Sequence, residues 1–266
     1  MDKYIAIFKI SFAQEFVYKL NFLMWRLRNV MQVFLVFFLW DAIFSDPRSS
    51  VFGYNRSTIL TYVFGLIIVR SVVLSARSVD VAGEVSRGDL SNYLIKPISY
   101  FKYWLTRDLS SKTLNLLFAV FEASVLMVIL KPPFYLQTHF VQLLLFALAI
   151  FIAILLFFLL MFLFSLFPLW YPEQAWGASF LLFIFVDFLG GGIFPLDVLP
   201  ANIQSVLYLT PFPYLMFSPL QIYLGKFATP LAVERVLLGS LWVAILVFVV
   251  GKVWKLGLKV YRSEGR

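Results

Sequence analysis

From Phe140 to Phe167 the chain carries no charged side chain at all. A helix that crosses a membrane needs about 20 consecutive, mostly apolar residues, because a rise of about 1.5 Å per residue must cover a hydrocarbon core about 30 Å thick. This run exceeds that length, enough to tilt or to extend past the bilayer. A soluble fold has room to bury one such helix, but not a whole chain of this kind. Of the 266 residues 62% are hydrophobic, 19% aromatic and only 14% charged, with a mean hydropathy of +0.89. Soluble domains carry about 25% charged residues. The composition therefore predicts an all-α integral membrane protein, in which each span satisfies its own backbone hydrogen bonds.

Five further apolar stretches bring the expected number of spans to six. They run from Val30 to Phe44, entered through Arg26 and Arg28 and left through Asp46-Pro47; from Ile59 to Ala76, with Arg70; from Leu114 to Leu130, with Glu122; from Trp176 to Ile193, with Asp187 near its end; and from Val236 to Val253. Six spans and their connections occupy nearly all of residues 1–266, which read as a single transmembrane domain. Ahead of the first span, Ile5, Phe8, Phe12, Phe16 and Leu20 recur at three- and four-residue spacing with Lys3, Lys9 and Lys19 between them. That pattern predicts an amphipathic helix within residues 1–28 lying on the membrane surface. A signal peptide is excluded because Lys9, Glu15 and Lys19 interrupt what would be its apolar core.

With 22 basic and 14 acidic residues, the formal net charge is +8. On an apolar chain this excess faces membrane lipid rather than nucleic acid. An even number of spans puts both termini on one side, and cytoplasmic loops hold the excess of Lys and Arg. One side collects Lys3, Lys9, Lys19, Arg26, Arg28, Arg77, Arg87, Lys96, Lys102, Arg107, Lys112, Lys252, Lys255, Lys259, Arg262 and Arg266. The other holds only Arg48, Arg56, Lys131, Lys226 and Arg235. Both termini are expected in the cytoplasm. The chain has no cysteine, so it offers neither a disulfide nor a thiolate metal site.

Two connections are long. Residues 77–113 form the main charged segment, punctuated by Gly83, Gly88 and Pro97, and the piece from Asp89 to Ile95 reads as a short helix capped by Asp89 and stopped by Pro97. It is either a solvated loop or a rigid element presented to a groove on a partner. Residues 190–230 are apolar yet broken by Pro195, Pro200, Pro211, Pro213 and Pro219. Irregular backbone is not tolerated facing lipid, so this segment is expected to dip in from the outer face while packed on protein, with short helices at Ala201 to Leu209 and Leu215 to Leu224. Gly190, Gly191 and Gly192 permit a sharp bend or a close helix approach.

Gly83-Glu84, then Arg87-Gly88-Asp89-Leu90, Leu94 and Lys96-Pro97-Ile98 resemble the cytoplasmic segment after the second helix in permeases of type-2 ATP-binding-cassette (ABC) exporters, where it forms the coupling helix. Gly191-Gly192-Ile193-Phe194-Pro195-Leu196, Leu199-Pro200, Pro211-Phe212-Pro213-Tyr214 and Leu224-Gly225 are similar to the same family's fifth helix and outer re-entrant hairpin. The resemblance covers nearly the whole chain. It implies the six-helix bacterial form in the inner membrane, two such permeases, identical or related, around a substrate path, and two separate ATPase subunits below. ATP and Mg would belong to those subunits: this chain has no G-x-x-x-x-G-K-[ST] phosphate loop, binds no cofactor of its own and is not expected to be an enzyme. The resemblance assigns ATPase coupling to Glu84, Arg87, Gly88, Asp89, Leu90, Leu94 and Pro97. It assigns an outer gate to Gly190, Gly191, Gly192, Phe194, Pro195, Pro200, Pro211 and Tyr214.

Charges within spans cost roughly 2.5–3.5 kcal/mol each on insertion scales and need partners or water. Arg70 is placed to snorkel toward the cytoplasm, Glu122 either pairs with Arg70 or lines the path, and Asp187 either caps the outer hairpin or binds a cation. The 31 Phe, 13 Tyr and 7 Trp fit lipid-facing and packing positions and point only weakly to an amphiphilic or hydrophobic cargo. Direction of transport is not legible in hydropathy. A secondary transporter or channel is the alternative; it would act without an ATPase, although the two halves show no inverted repeat of the kind such transporters carry. A membrane-embedded enzyme needs a positioned base, a carboxylate pair or a metal site, whereas the single histidine, His139, sits beside a span and reads as interfacial.

Overall fold

The computed structural model of the chain describes residues 2–15, 19–44, 50 and 52–262. Among them the regular elements are helices: α1 Asp2–Glu15, α2 Lys19–Ile43, α3 Arg56–Val73, α4 Asp80–Ser86, α5 Ser91–Leu94, α6 Tyr100–Leu130, α7 Phe140–Phe164, α8 Gly177–Leu189, α9 Ala201–Tyr208, α10 Phe217–Tyr223 and α11 Thr229–Val260. Four are long and apolar enough to cross a membrane: α3, α6, α11, and α7 extended through the 3-10 turn to Leu169. At 25 residues α2 has the length, but Arg26, Arg28, Asn29, Gln32 and Asp41 interrupt it. The apolar α8 has only 13 residues.

Local chemistry sets the helix limits. Asn55 and Thr58 form a reciprocal capping box at the start of α3, with Thr58 N donating to Asn55 Oδ1 at 2.9 Å and Asn55 N to Thr58 Oγ1 at 3.0 Å, which satisfies amides that the first turn leaves orphaned. Ser99 caps α6. That helix ends at Lys131, whose φ of 43° is left-handed, and Pro132-Pro133 cannot continue it.

The innermost helix is α3, buried along almost its whole length, with α2, α6, α7 and α10 packed around it. Phe37, Phe64, Leu156, Phe157, Leu160 and Phe217 lie in the shared core. The outer faces of α6, α7, α8 and α11 expose Phe121, Val128, Phe140, Phe151, Phe180, Phe188, Leu237 and Phe248, an apolar surface that water would not tolerate. One end of the bundle, the basic end, gathers α1, α4, α5 and the last turns of α11. The opposite end carries α9 and α10, the hairpin end.

Several sequence expectations need correction. The surface helix is described as far as Glu15, and the residues from Lys19 onward form α2; residues 16–18 lie outside the described ones. Its inward face is Ser11 and Glu15, while Ile5 and Ile10 are exposed, because it packs on α6 and Ser110 Oγ donates to Phe8 O at 3.1 Å. Helix α6 begins at Tyr100 rather than Leu114, since a helix does not have to end where its charges begin. Most of residues 77–113 is thus helical, including α4. The short helix is Ser91–Leu94 rather than Asp89 to Ile95, Leu90 stands at its N-cap, and Asp89 instead pairs with Arg87 at 2.9 Å. Around the prolines, α9 and α10 fall close to expectation.

Candidate functional site

At the basic end α4 and α5 form a bonded platform. Gly88 links them at φ +80°, a left-handed conformation open to glycine. Glu84, almost fully buried, accepts from Tyr93 at 3.1 Å and from Tyr100 at 2.8 Å. Burial raises its carboxyl pKa above the ordinary value, and the two hydroxyls oppose that shift. Ser86 Oγ donates to Pro172 O at 2.5 Å, and Lys3 Nζ donates to Pro97 O at 2.9 Å. Beside the platform an open cleft of about 400 Å³ is lined by Glu84, Arg87, Asp89, Asn92, Tyr93, Ile95 and Lys96. Leu94 and Ile95 project from it, Ile95 with 84% exposure. Of the sequence-selected residues, Arg87 and Asp89 are on the surface, whereas Leu90 is fully buried and serves the core.

Beneath the platform sits a second knot. Lys112 is buried and its ammonium donates to the carbonyls of Val72, Val73 and Ser75 at 3.0, 2.9 and 2.8 Å. These are orphan acceptors at the end of α3, where a cation also meets the negative end of the helix dipole. Asp108, fully buried, lies 3.3 Å from Lys112 and accepts from Arg77 N at 2.8 Å. The Arg77 guanidinium pairs with Glu15 of α1.

Within the bundle the ion pairs differ from the expected one. Glu122 does not meet Arg70. It accepts two hydrogen bonds from Arg26, at 2.6 and 2.5 Å, and Arg26 also reaches Asn115 at 3.3 Å and Ser71 at 3.4 Å. Read from sequence as a flanking charge, Arg26 is carried into the bundle by α2. Arg70 pairs with Asp187 at 2.6 Å and lies 3.4 Å from Gly192 O. Arg70 also lines a narrow cleft with roughly 30 Å³ of free space, together with Asn29, Gln32, Ser71 and Gly192, large enough for a water molecule.

At the hairpin end Gly190 closes α8, and Phe217 N donates back to Gly190 O at 3.0 Å. Gly191 has φ +81°, and Tyr62 Oη donates to its carbonyl at 2.6 Å. A Cβ on Gly191 would lie 2.7 Å from that hydroxyl, so a side chain is excluded. Pro195, Pro211 and Tyr214 are buried, Phe194 half-buried, and Pro200 exposed before α9. Sequence reasoning missed the cluster that ties this segment to α3. Tyr54 Oη donates to Asp197 at 2.9 and 3.0 Å and accepts from Gln221, while Lys226 Nζ lies 3.0 Å from Asp197 and 3.1 Å from the Tyr54 ring centroid. Burial lowers the Lys226 pKa, opposed by Asp197. No local pattern announces contacts between residues so far apart in the chain. Among the described residues no group of three or more His, Asp or Glu side chains is arranged to hold a metal.

Long apolar helices, an outer apolar surface and internally paired charges define a multi-pass helical membrane protein. The chain matches the ABC-2 family transporter proteins over residues 30–265 and belongs to that family, as a permease of type-2 ABC transporters. No curated protein and no solved structure matches it.

Proposed function

We propose that this chain is the transmembrane subunit of an ATP-driven exporter, working as a homo- or heterodimer in a bacterial inner membrane with separate ATPase subunits docked on its basic end. The observation that carries this reading is the platform of α4 and α5. An apolar tip, Leu94 and Ile95, stands exposed on a base held rigid by Glu84, Tyr93, Tyr100 and Ser86, the form expected of an element that inserts into a partner's groove. In this reading α2 and α8 complete a six-span arrangement, the former with Arg26 neutralised by Glu122 and the latter continuing through its glycines into the packed hairpin. Both termini then lie in the cytoplasm beside the ATPases. Residues 190–230 form the outer re-entrant segment, with Gly190 to Tyr214 as the external gate. ATP and Mg bind the ATPase subunits.

The test exploits the absence of cysteine. A single Ile95→Cys permease, co-expressed with an ABC ATPase that co-purifies with it, is expected to react with a maleimide when alone and to be protected in the purified complex. A complex in which Ile95→Cys stays fully reactive would sink the docking assignment. A permease that moves solute without any ATPase would favour a secondary transporter or channel.

A further inference from the structure

We infer that α11 is the rod connecting the docking platform to the outer hairpin, with Tyr261 and Trp254 as its coupling at one end and Arg235 at the other. This rests on the docking reading above and adds to it the path that motion takes.

Tyr261 follows the last residue of α11, and its amide donates to Gly257 O at 3.0 Å, so the ring moves with the helix. Its hydroxyl donates to Gly88 O at 2.7 Å and accepts from Ser91 N at 3.2 Å, clasping the turn between α4 and α5 from both sides. About two turns earlier along the rod, Trp254 stacks on Tyr100 with ring centroids 5.3 Å apart and planes 14° from parallel. Tyr100 is the residue that donates to Glu84. The platform therefore grips α11 at two heights.

At the far end the Arg235 guanidinium lies 3.8 Å from the centre of the Tyr208 ring on α9, a cation–π contact. At Gly239 an added Cβ would come 3.6 Å from Tyr214 Cβ, ordinary contact distance, and 3.1 Å from Ile152 of α7, so here the rod runs directly alongside Tyr214 and close against α7. Tyr214 Oη donates to Tyr208 O at 2.7 Å, which joins the two hairpin contacts into one unit. Between its ends α11 is a continuous helix of 32 residues, roughly 48 Å long at 1.5 Å per residue, with no proline after Pro230.

The competing rod is α3, which also reaches both ends. It is enclosed on nearly every side, and a close-packed interior resists displacement. Its inner end is held by Lys112 of α6 rather than by the platform. By contrast, α11 packs chiefly along α7 and leaves most of its surface outward, so sliding or tilting disturbs mainly that interface.

The experiment reads both ends of the permease bound to its ATPase in liposomes. Leu209→Cys, at an exposed hairpin position, reports the hairpin through its maleimide labelling rate with and without ATP and vanadate. Ile95→Cys reports docking separately. The expected result is a nucleotide-driven change at Leu209→Cys that falls about threefold or more in Tyr261→Phe and again in Arg235→Gln, a size typical of coupling contacts distant from either site. Trp254→Phe, which keeps an aromatic ring, provides a second inner-end variant and should fall in the same direction. An undiminished change in these variants, or no change at Leu209→Cys in the parent while Ile95→Cys is protected, would overturn the rod and leave docking intact. Loss of protection at Ile95→Cys in the parent complex would overturn docking, and the rod with it.

Discussion

Arg26 holds Glu122 through two hydrogen bonds, touches Ser71 and Asn115, and lies 5.9 Å from the Phe118 ring centroid, with side-chain exposures of 5% and 12% for the pair. Arg70 Nη1 lies 2.6 Å from Asp187, beside a cleft, with side-chain exposures of 19% and 24% for the pair. Both pairs neutralise charge inside a helical bundle, where an unpartnered charge is costly. The first is saturated and works as a strut between α2 and α6. The second is more open and borders Gly192, where the backbone turns after α8. Two ion pairs of the same chemistry thus differ in what their surroundings permit.

The largest effect expected from that contrast is on stability. Glu122→Gln leaves Arg26 buried without its counter-charge and should cost about 3–5 kcal/mol, read as a lower Tm of the permease in detergent, whereas Asp187→Asn, at the more exposed pair, should lower Tm less. Equal losses would break the distinction. Next, the double reversal Arg26→Glu with Glu122→Arg should recover most of the loss seen in either single reversal, while Arg70→Glu with Glu122→Arg should recover none; recovery in the second case would restore the pairing that the sequence suggested.

A smaller effect comes from a carboxyl held by hydroxyls instead of a cation. Burial raises the Glu84 pKa in the folded state, so the penalty of ionising it is absent below the unfolded value of about 4.3. It sets in as pH rises through the folded value, and stability declines across that window. Proteolysis of the platform followed against pH should show the decline in the parent and not in Glu84→Gln. Smallest is Gly251→Ala on α11, away from both pairs: an added Cβ meets nothing within 4 Å. Removing the glycine from a helix interior should stabilise by about 0.5–1 kcal/mol, and a loss of stability would mean that α11 is packed at that point.

The long apolar helices, the short helices α9 and α10 among the prolines and the turn at the glycine run were legible in the sequence because each is a local pattern of composition or periodicity. The extent of α6 was not, since Lys102, Arg107, Asp108 and Lys112 read as a loop when they are the amphipathic start of a helix. Nor were the ion pairs. Arg70 and Glu122 stood out as intramembrane charges, but the choice of partner depends on helix rotation and depth, which hydropathy does not encode. The same is true of Tyr54 with Asp197 and of Tyr261 with Gly88. Arg26 was hidden for a further reason: it lies outside the apolar run of α2, and only its burial against α6 reveals it as internal.

The Lys112 ammonium, set on the last carbonyls of α3, bears on the order of synthesis. Ser75 Oγ already donates to Val72 O at 3.3 Å, but the ammonium that draws the three carbonyls together arrives only after α4, α5 and the first turns of α6 have been made. Until then the end of α3 has to stay where water can reach it. The end of α3 is therefore completed by a residue of α6, and the two helices reach their final packing together.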